Sequence, residues 1–376
     1  MTDTPIPRPS GHGLRGLFLR MVGSRRFQAI AARTPLLRRI ARHEGNALFD
    51  LVAGFVNSQV LMALVELRVL HLVQPAPLEP RTLAHLCQMP QPQMQILLQA
   101  GAGLGLLRRS GNGYGLTLRG ASLLAVPGLE SMIRHHRALY ADLADPVAFF
   151  RGGQQTELAR FWPYVFGAAG AVDPEVTATY SALMADSQAL VAEDTLRMVD
   201  LRGARHLMDI GGGTGAFLSA VGAAHPALAL TLFDLPVVVA GATARLEQAG
   251  MLARTTVHPG SFRDDPLPKG ADAISLIRVL YDHDDSTVAR LLASVHDALP
   301  AGGRVIVSEP MSGGATPDRA TDVYFAVYTL AMQTGRTRSM DEIAKLLTAA
   351  GFVNIKQTWG FRPFVTSVVT ATRADA

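Results

Sequence analysis

From His206 onward short apolar runs alternate with amphipathic stretches, and the first of those runs ends in Met208-Asp209-Ile210-Gly211-Gly212-Gly213-Thr214-Gly215. This repeat constrains the fold more than any other feature of the chain. Strand candidates lie at His206 to Ile210, Ala229 to Asp234, Thr255 to His258, Ala273 to Ile277 and Arg304 to Ser308, with helical patterns at Gly215 to Ala224, Val237 to Ala249 and Ser286 to Leu299 between them. Strand and helix alternating at this interval predict a parallel, doubly wound α/β sheet of Rossmann-like type. The end departs from the repeat: a helix at Met340 to Ala350 is followed by two successive strands, Phe352 to Thr358 and Phe364 to Ala371. Two strands without a helix between them make a terminal antiparallel hairpin.

A chain of 376 residues, 48% hydrophobic and 18% charged, fits two or three domains with large cores and excludes a disordered or collagen-like protein. Its net charge of +4 is unevenly spread. Residues 1 to 43 hold Arg8, Arg15, Arg20, Arg25, Arg26, Arg33, Arg38, Arg39 and Arg42 against Asp3 alone, so this arm is +8 and the remainder −4. A basic arm on a mildly acidic body points to an anionic partner, membrane headgroups or nucleic acid. Leu14, Leu17, Phe18, Met21 and Val22 recur at helical spacing within it, the pattern of a short interfacial helix. The alternative is a tail, or a helix packed on a partner subunit. Cys87 stands alone, which excludes a disulfide framework and points to a reducing compartment. No Cys/His zinc pattern occurs. Leu48 to Leu67 is interrupted by Asp50, Asn57, Gln59 and Glu66, so no transmembrane span is expected, and the N-terminus lacks the apolar core of a secretory signal.

A long apolar helix is predicted from Ala47 to about Leu67. A helix from Arg81-Thr82 to Cys87, a second from Gln91 to about Gly103, and strands at Leu106 to Arg109 and Tyr114 to Leu116 around Ser110-Gly111-Asn112-Gly113 then make a winged-helix-like unit. A DNA-binding regulator would need cations on the second helix, and none occurs before Arg108. Packing or dimerisation is the preferred role. Residues 120 to 200 read as helical, broken at Gly152-Gly153 and Pro163. The expected division is a basic arm (1–45), a winged-helix-like unit (46–125), a helical connector contributing to a pocket (126–200) and the α/β domain (201–376).

The glycine loop ends a strand and opens a helix, where backbone N–H groups and the helix dipole favour negative charge. Gly211, Gly213 and Ala216 satisfy a dinucleotide fingerprint, and Asp234, ending the second strand in Phe233-Asp234-Leu235-Pro236, is placed to take two ribose hydroxyls. These features alone fit NAD and S-adenosylmethionine equally. The terminal hairpin, Asp209 before the loop and Pro259-Gly260-Ser261-Phe262 together match the class I methyltransferase plan. "MDIGGGTG", "FDLP", "GSF", "RVLYDHDD", "LPAGGRVIVSEP" and "AAGF" occur in the order of the acetylserotonin and caffeate-type O-methyltransferases, and the chain resembles that family over nearly its whole length.

The resemblance implies a homodimer that uses S-adenosylmethionine and no metal. Gly211, Gly213 and Gly215 would lie at the methionine portion of the cofactor, Asp234 at the ribose, Gly260, Ser261 and Phe262 at the adenine side, and Arg278 near the carboxylate, with Asp209 and Leu235 also counted as cofactor-binding. Ser261 replaces the family's aspartate, and Asp264 or Asp265 is the substitute considered. The family's catalytic histidine falls on Tyr281, followed by Asp282, with His283 two residues on. A tyrosine is a poor base at neutral pH and a histidine titrates there, so the base is left open between His283, Tyr281 and positioning alone. Glu309 matches the carboxylate that steadies the histidine, and the second such glutamate falls on Thr337. Tyr180 and Met184, with Tyr324, Phe325, Val327, Tyr328, Ala331 and Met332, would line an apolar acceptor pocket.

"FDLVAGFVNSQVL", "SFRDDPLPKGAD", "RVLYDHDD" and the arginine-rich arm further resemble the carotenoid O-methyltransferases of purple photosynthetic bacteria, which act on demethylspheroidene or hydroxyneurosporene. That resemblance implies methylation of the C-1 tertiary hydroxyl of an acyclic carotenoid by a cytoplasmic enzyme held peripherally on an anionic membrane through residues 1 to 43. Another hydrophobic pigment, such as a bacteriochlorophyll precursor, or an aromatic or polyketide metabolite is the alternative acceptor.

Overall fold

The computed structural model describes residues 14–161 and 187–375 and divides into two compact units, Met1–Arg119 and Gly120–Ala376. In the first unit, helices Leu14–Val22 and Arg25–Arg33 lead into one 32-residue helix, Pro35–Glu66. That helix starts twelve residues before the predicted Ala47, because Pro35 occupies a first-turn position where its fixed φ and missing N–H cost nothing. The boundary drawn at residue 45 therefore falls inside a continuous helix. By length and composition Leu37–Glu66 is also apolar enough to cross a membrane, with a mean hydropathy of 1.7 over its best window, 17% of which is buried. The scattered polar residues taken to exclude a span do not lower its average enough to do so.

Helices Pro80–Leu86 and Gln91–Gly103 and strands β1 (Leu107–Ser110) and β2 (Gly113–Leu116) complete the winged-helix-like unit. The hairpin turn falls on Gly111-Asn112 rather than Asn112-Gly113. Ser110 pairs with Gly113, and Gly111 takes φ +58°, the left-handed first position of a type II′ turn.

Helix Leu118–Ala125 runs from the first unit into the second, which continues with helices over Leu129–Asp142, Pro146–Arg151 and Glu157–Phe161, and residues 187–198 are helical. Tyr180, Met184 and Pro163 lie outside the described residues. Seven strands follow: β3 (His206–Ile210), β4 (Ala229–Asp234), β5 (Thr255–Pro259), β6 (Ala273–Ile277), β7 (Arg304–Glu309), β8 (Phe352–Thr358) and β9 (Ser367–Arg373). They are ordered β5-β4-β3-β6-β7-β9-β8, with β9 antiparallel to β7 and β8 antiparallel to β9. The last strand starts three residues later than predicted.

Alternate residues of the parallel strands face opposite cores, as the two-residue strand period requires. Met208, Ile210, Ile274, Leu276, Val305 and Val307 pack with helices Asp285–Ala298 and Met340–Ala349 on one face. Leu207, Leu232, Ala273, Ile277 and Ile306 pack with Ala216–Ala224 and Pro236–Gln248 on the other. Strand order reverses between β3 and β6, which opens a crevice at their carboxyl ends, where ligands of such sheets bind.

Candidate active site

The crevice is framed by the loop after β3. Gly211 has φ +69°, and a Cβ there would lie 2.9 Å from a Val279 methyl, so glycine is demanded by conformation and by space. The Gly213 N–H donates to Asp234 Oδ2 at 2.7 Å, and the Leu235 N–H donates to Oδ1 at 2.7 Å. These bonds tie the tips of β3 and β4 together. Burial, opposed by the two N–H donors, holds Asp234 up to about 6. Asp209 is buried behind the loop, with Oδ1 accepting from Ser275 Oγ at 2.6 Å and Oδ2 without a hydrogen-bond partner among the described residues. Burial raises it to about 7.

After β5, the Gly260 N–H donates to the Asp234 carbonyl at 2.8 Å, and a Cβ on Gly260 would strike the Phe233 ring at 2.7 Å. The Ser261 N–H donates to Asp265 Oδ2 and its hydroxyl to Asp264 Oδ2, both at 2.8 Å. Each candidate substitute carboxylate is thus turned back onto Ser261. Phe262 packs edge-on against His283, with centroids 5.2 Å apart.

Arg278, at the end of β6, takes φ +58°, a left-handed conformation strained for a side-chain-bearing residue. Its Nε donates to Tyr281 Oη at 3.2 Å and its guanidinium to Ser187 Oγ at 2.9 Å. A short 3₁₀ turn, Leu280–Asp282, carries Tyr281 and Asp282 inward. Arg338, fully buried and unremarked in the sequence, braces this turn by donating to the carbonyls of Leu280 at 2.7 Å and His283 at 2.8 Å and to Asp285 Oδ1 at 2.6 Å. Glu309 Oε2 accepts from the Tyr281 N–H at 3.2 Å. Glu309 Oε1 and Asp282 Oδ1 have no partner among the described residues. Burial pushes Asp282 up to about 8, opposed by Arg278 and reinforced by Glu309, and pushes Glu309 up to about 7. Burial also drives the Tyr281 phenol upward, further from service as a base.

Met132, Arg278, Tyr281, Asp282, Tyr324, Phe325, Tyr328 and Met332 line a narrow cavity of about 10 Å³. The structure therefore gathers seven residues singled out in the sequence, and adds Met132. His283 is not among them. Its ring is buried beside Phe262, and Arg263 lies 3.0 Å from Nδ1. Burial and then the Arg263 charge push it down to about 3. A histidine turned away from the cavity, onto Arg263 and Phe262, is misplaced for the base role considered for it. Thr337 is buried but carries no carboxylate.

The sequence reading also missed His135 and His136 on helix Leu129–Asp142. A 2.8 Å hydrogen bond joins His135 Nε2 to Tyr328 Oη, and one of 2.6 Å joins His136 Nε2 to Tyr324 Oη. The adjacent His-His on a half-buried helix was the available signal.

Comparison with known proteins bears on this geometry. Residues 140–353 match the O-methyltransferase domain, and 49–126 match the O-methyltransferase dimerisation domain. The chain is 64% identical over 368 residues to a demethylspheroidene O-methyltransferase of Cereibacter sphaeroides, covering 98% of this chain and 97% of that one. It is 52% identical over 369 residues to one of Rhodobacter capsulatus, covering 98% and 92%. Among solved structures, human N-acetylserotonin methyltransferase in complex with SAM superposes with a TM-score of 0.76 at 24% identity, over 88% of this chain and 98% of that one. Mitomycin 7-O-methyltransferase does so at 0.74 and 24%, over 90% and 99%.

Proposed function

The chain belongs to the class I O-methyltransferase family, and from that premise we propose that it uses S-adenosylmethionine to methylate the C-1 tertiary hydroxyl of an acyclic carotenoid of the demethylspheroidene or hydroxyneurosporene type. The observation that carries this reading is 64% and 52% identity, at nearly full length, to two demethylspheroidene O-methyltransferases. The cavity agrees with it in chemistry, since the rings and thioethers of Met132, Tyr324, Phe325, Tyr328 and Met332 form most of its wall, with Arg278, Tyr281 and Asp282 at one side to meet a single hydroxyl.

The residues present fit the cofactor. Asp234 offers a carboxylate at a strand tip, the glycine loop closes at a helix N-terminus, and the orphaned Asp209 Oδ2 lies beneath it. Gly211, Gly213, Gly215, Asp234, Leu235, Gly260, Ser261, Phe262 and Arg278 would hold it. Bound there, it supplies an electrophilic methyl group. The chain contributes orientation: Arg278 fixes the Tyr281 hydroxyl at the cavity wall, Glu309 and Arg338 hold the turn beneath, and the aromatic lining excludes water. Holding the reacting atoms in line supplies much of the rate. The cavity has room for about one water, so an acceptor enters as these side chains shift.

The dimerisation domain makes the working form a homodimer. As a further part of the proposal, the arm rests on the cytoplasmic surface of an anionic membrane. Phe18, Leu19 and Met21 are exposed there, and Arg38, Arg39 and Arg42 cluster with His43 in a cationic cleft. Labelled S-adenosylmethionine, presented with a 1-hydroxy acyclic carotenoid in liposomes, should yield the 1-methoxy product. Turnover of a phenol with none of the carotenoid would overturn the acceptor assignment. Arg20, Arg25 and Arg26 changed together to Glu should release the protein from anionic vesicles but leave binding of S-adenosylhomocysteine unchanged. Retained vesicle binding would overturn the membrane role.

A further inference from the structure

No side chain of the turn itself offers a well-placed base: Tyr281 Oη accepts from the Arg278 cation, which has no lone pair to take a proton onward, burial pushes Asp282 and Glu309 toward their neutral forms, and His283 faces elsewhere. The opposite wall differs. Tyr324 and Tyr328 reach the cavity one helical turn apart, each backed by a histidine of helix Leu129–Asp142. Tyr324 belongs to a six-residue π-helical segment, Ala320–Phe325, a rare conformation that recurs at functional sites. Its ring packs edge-on against His136 and Phe325, with centroids 5.5 and 4.9 Å away, and Phe325 meets Tyr281 at 6.5 Å. Tyr324 is thereby wedged between the cavity and an imidazole.

We propose that Tyr324 accepts the acceptor's hydroxyl proton and passes its own to His136, so that this pair, rather than the Tyr281 turn, is the proton exit of the methyl-transfer reaction. The proposal rests on the O-methyltransferase reading above. As the C–O bond forms and the methyl–sulfur bond breaks, the acceptor oxygen takes on oxonium character and loses its proton within the same step. Its proton moves to Tyr324 Oη, the phenolic proton moves to His136 Nε2, and the imidazolium returns the proton to solvent between turnovers. Burial raises the Tyr324 phenol and keeps it protonated at rest, so it takes this proton only while giving its own to His136. Burial keeps both imidazoles below the ordinary histidine range and therefore neutral at rest, and His136 must be the Nδ1–H tautomer for Nε2 to accept. Tyr324 touches the acceptor and is the catalytic residue. His136 acts through it.

Two measurements test this. Nitrogen-15 NMR of the histidine-labelled full chain, without any acceptor, should show His136 Nε2 as an unprotonated acceptor nitrogen at pH 7, shifted in Tyr324→Phe. A protonated Nε2 would overturn the relay, whatever the acceptor proves to be. In single-turnover reactions with the 1-hydroxy carotenoid, Tyr324→Phe and His136→Gln should each slow methyl transfer by about 100-fold, the scale of a positioned acid–base group. Their KM and affinity for S-adenosylhomocysteine should hold, and the double variant should be no slower than either single one. Losses below threefold, or losses that multiply in the double variant, would overturn it. No turnover by the wild type would instead overturn the acceptor reading and leave the NMR result standing.

Discussion

Strand β6 and the middle of helix Pro35–Glu66 are both strongly apolar, yet every residue of β6 is buried while Leu48, Phe49, Leu51, Val52 and Phe55 are 63–72% exposed. β6 lies between β3 and β7 with a helix-covered core on each face, so its own chain satisfies it. The helix is satisfied within its unit only near its end, where Met62, Leu64 and Val65 are buried. Apolar composition says that a surface will be covered, not by what. The family's dimerisation domain begins at residue 49, within the exposed stretch, so a second copy is the cover to test for.

The comparison breaks most sharply if the exposed stretch is charged. Phe49→Asp with Phe55→Asp should weaken self-association by about 1000-fold or more, because two carboxylates would be buried without partners; sedimentation would show monomers whose circular dichroism is unchanged. A dimer that survives assigns the stretch to another surface. Next, Leu64→Ala should lower unfolding stability by about 2–5 kcal/mol, whereas Leu51→Ala should cost the monomer less than about 0.5 kcal/mol, both read by urea denaturation of the charged monomeric variant. In the sheet unit, Asp234→Ala should reduce affinity for S-adenosylhomocysteine by roughly 10- to 100-fold, the worth of a hydrogen-bonded charge, measured by calorimetry.

The smallest effect is one of pH. Asp282, Asp209 and Glu309 keep their protons to about 8, 7 and 7 in the fold, against ordinary values of 3.8, 3.8 and 4.5. Between the ordinary and the raised values the folded chain binds more protons than the unfolded one, so stability falls as pH rises. His283 and His135, pushed down to about 3 and 4, act in the opposite sense, but only below 6.5. Between 6.5 and about 8 the raised carboxylates set the sign of the slope. Tm should decline from pH 6.5 to 8.5, and Asp282→Asn should flatten the decline.

What sequence alone determined is local in origin. The strand period, the glycine loop, Asp209 and Asp234 at strand tips and the terminal hairpin each follow from residues close together in the chain, and the strand positions were legible to within a few residues. Pro35 was a legible helix start that passed unread. Only the tertiary structure decided the rest. In a 3₁₀ turn, alternation does not say which way a side chain points, so His283 could not be seen to face Phe262 and Arg263 while Tyr281 faces the cavity. His136 and Tyr324 are 188 residues apart, and Arg338 and Leu280 are 58 apart. Such pairs exist because packed layers bring distant helices and turns together, and no periodicity within either segment encodes its partner.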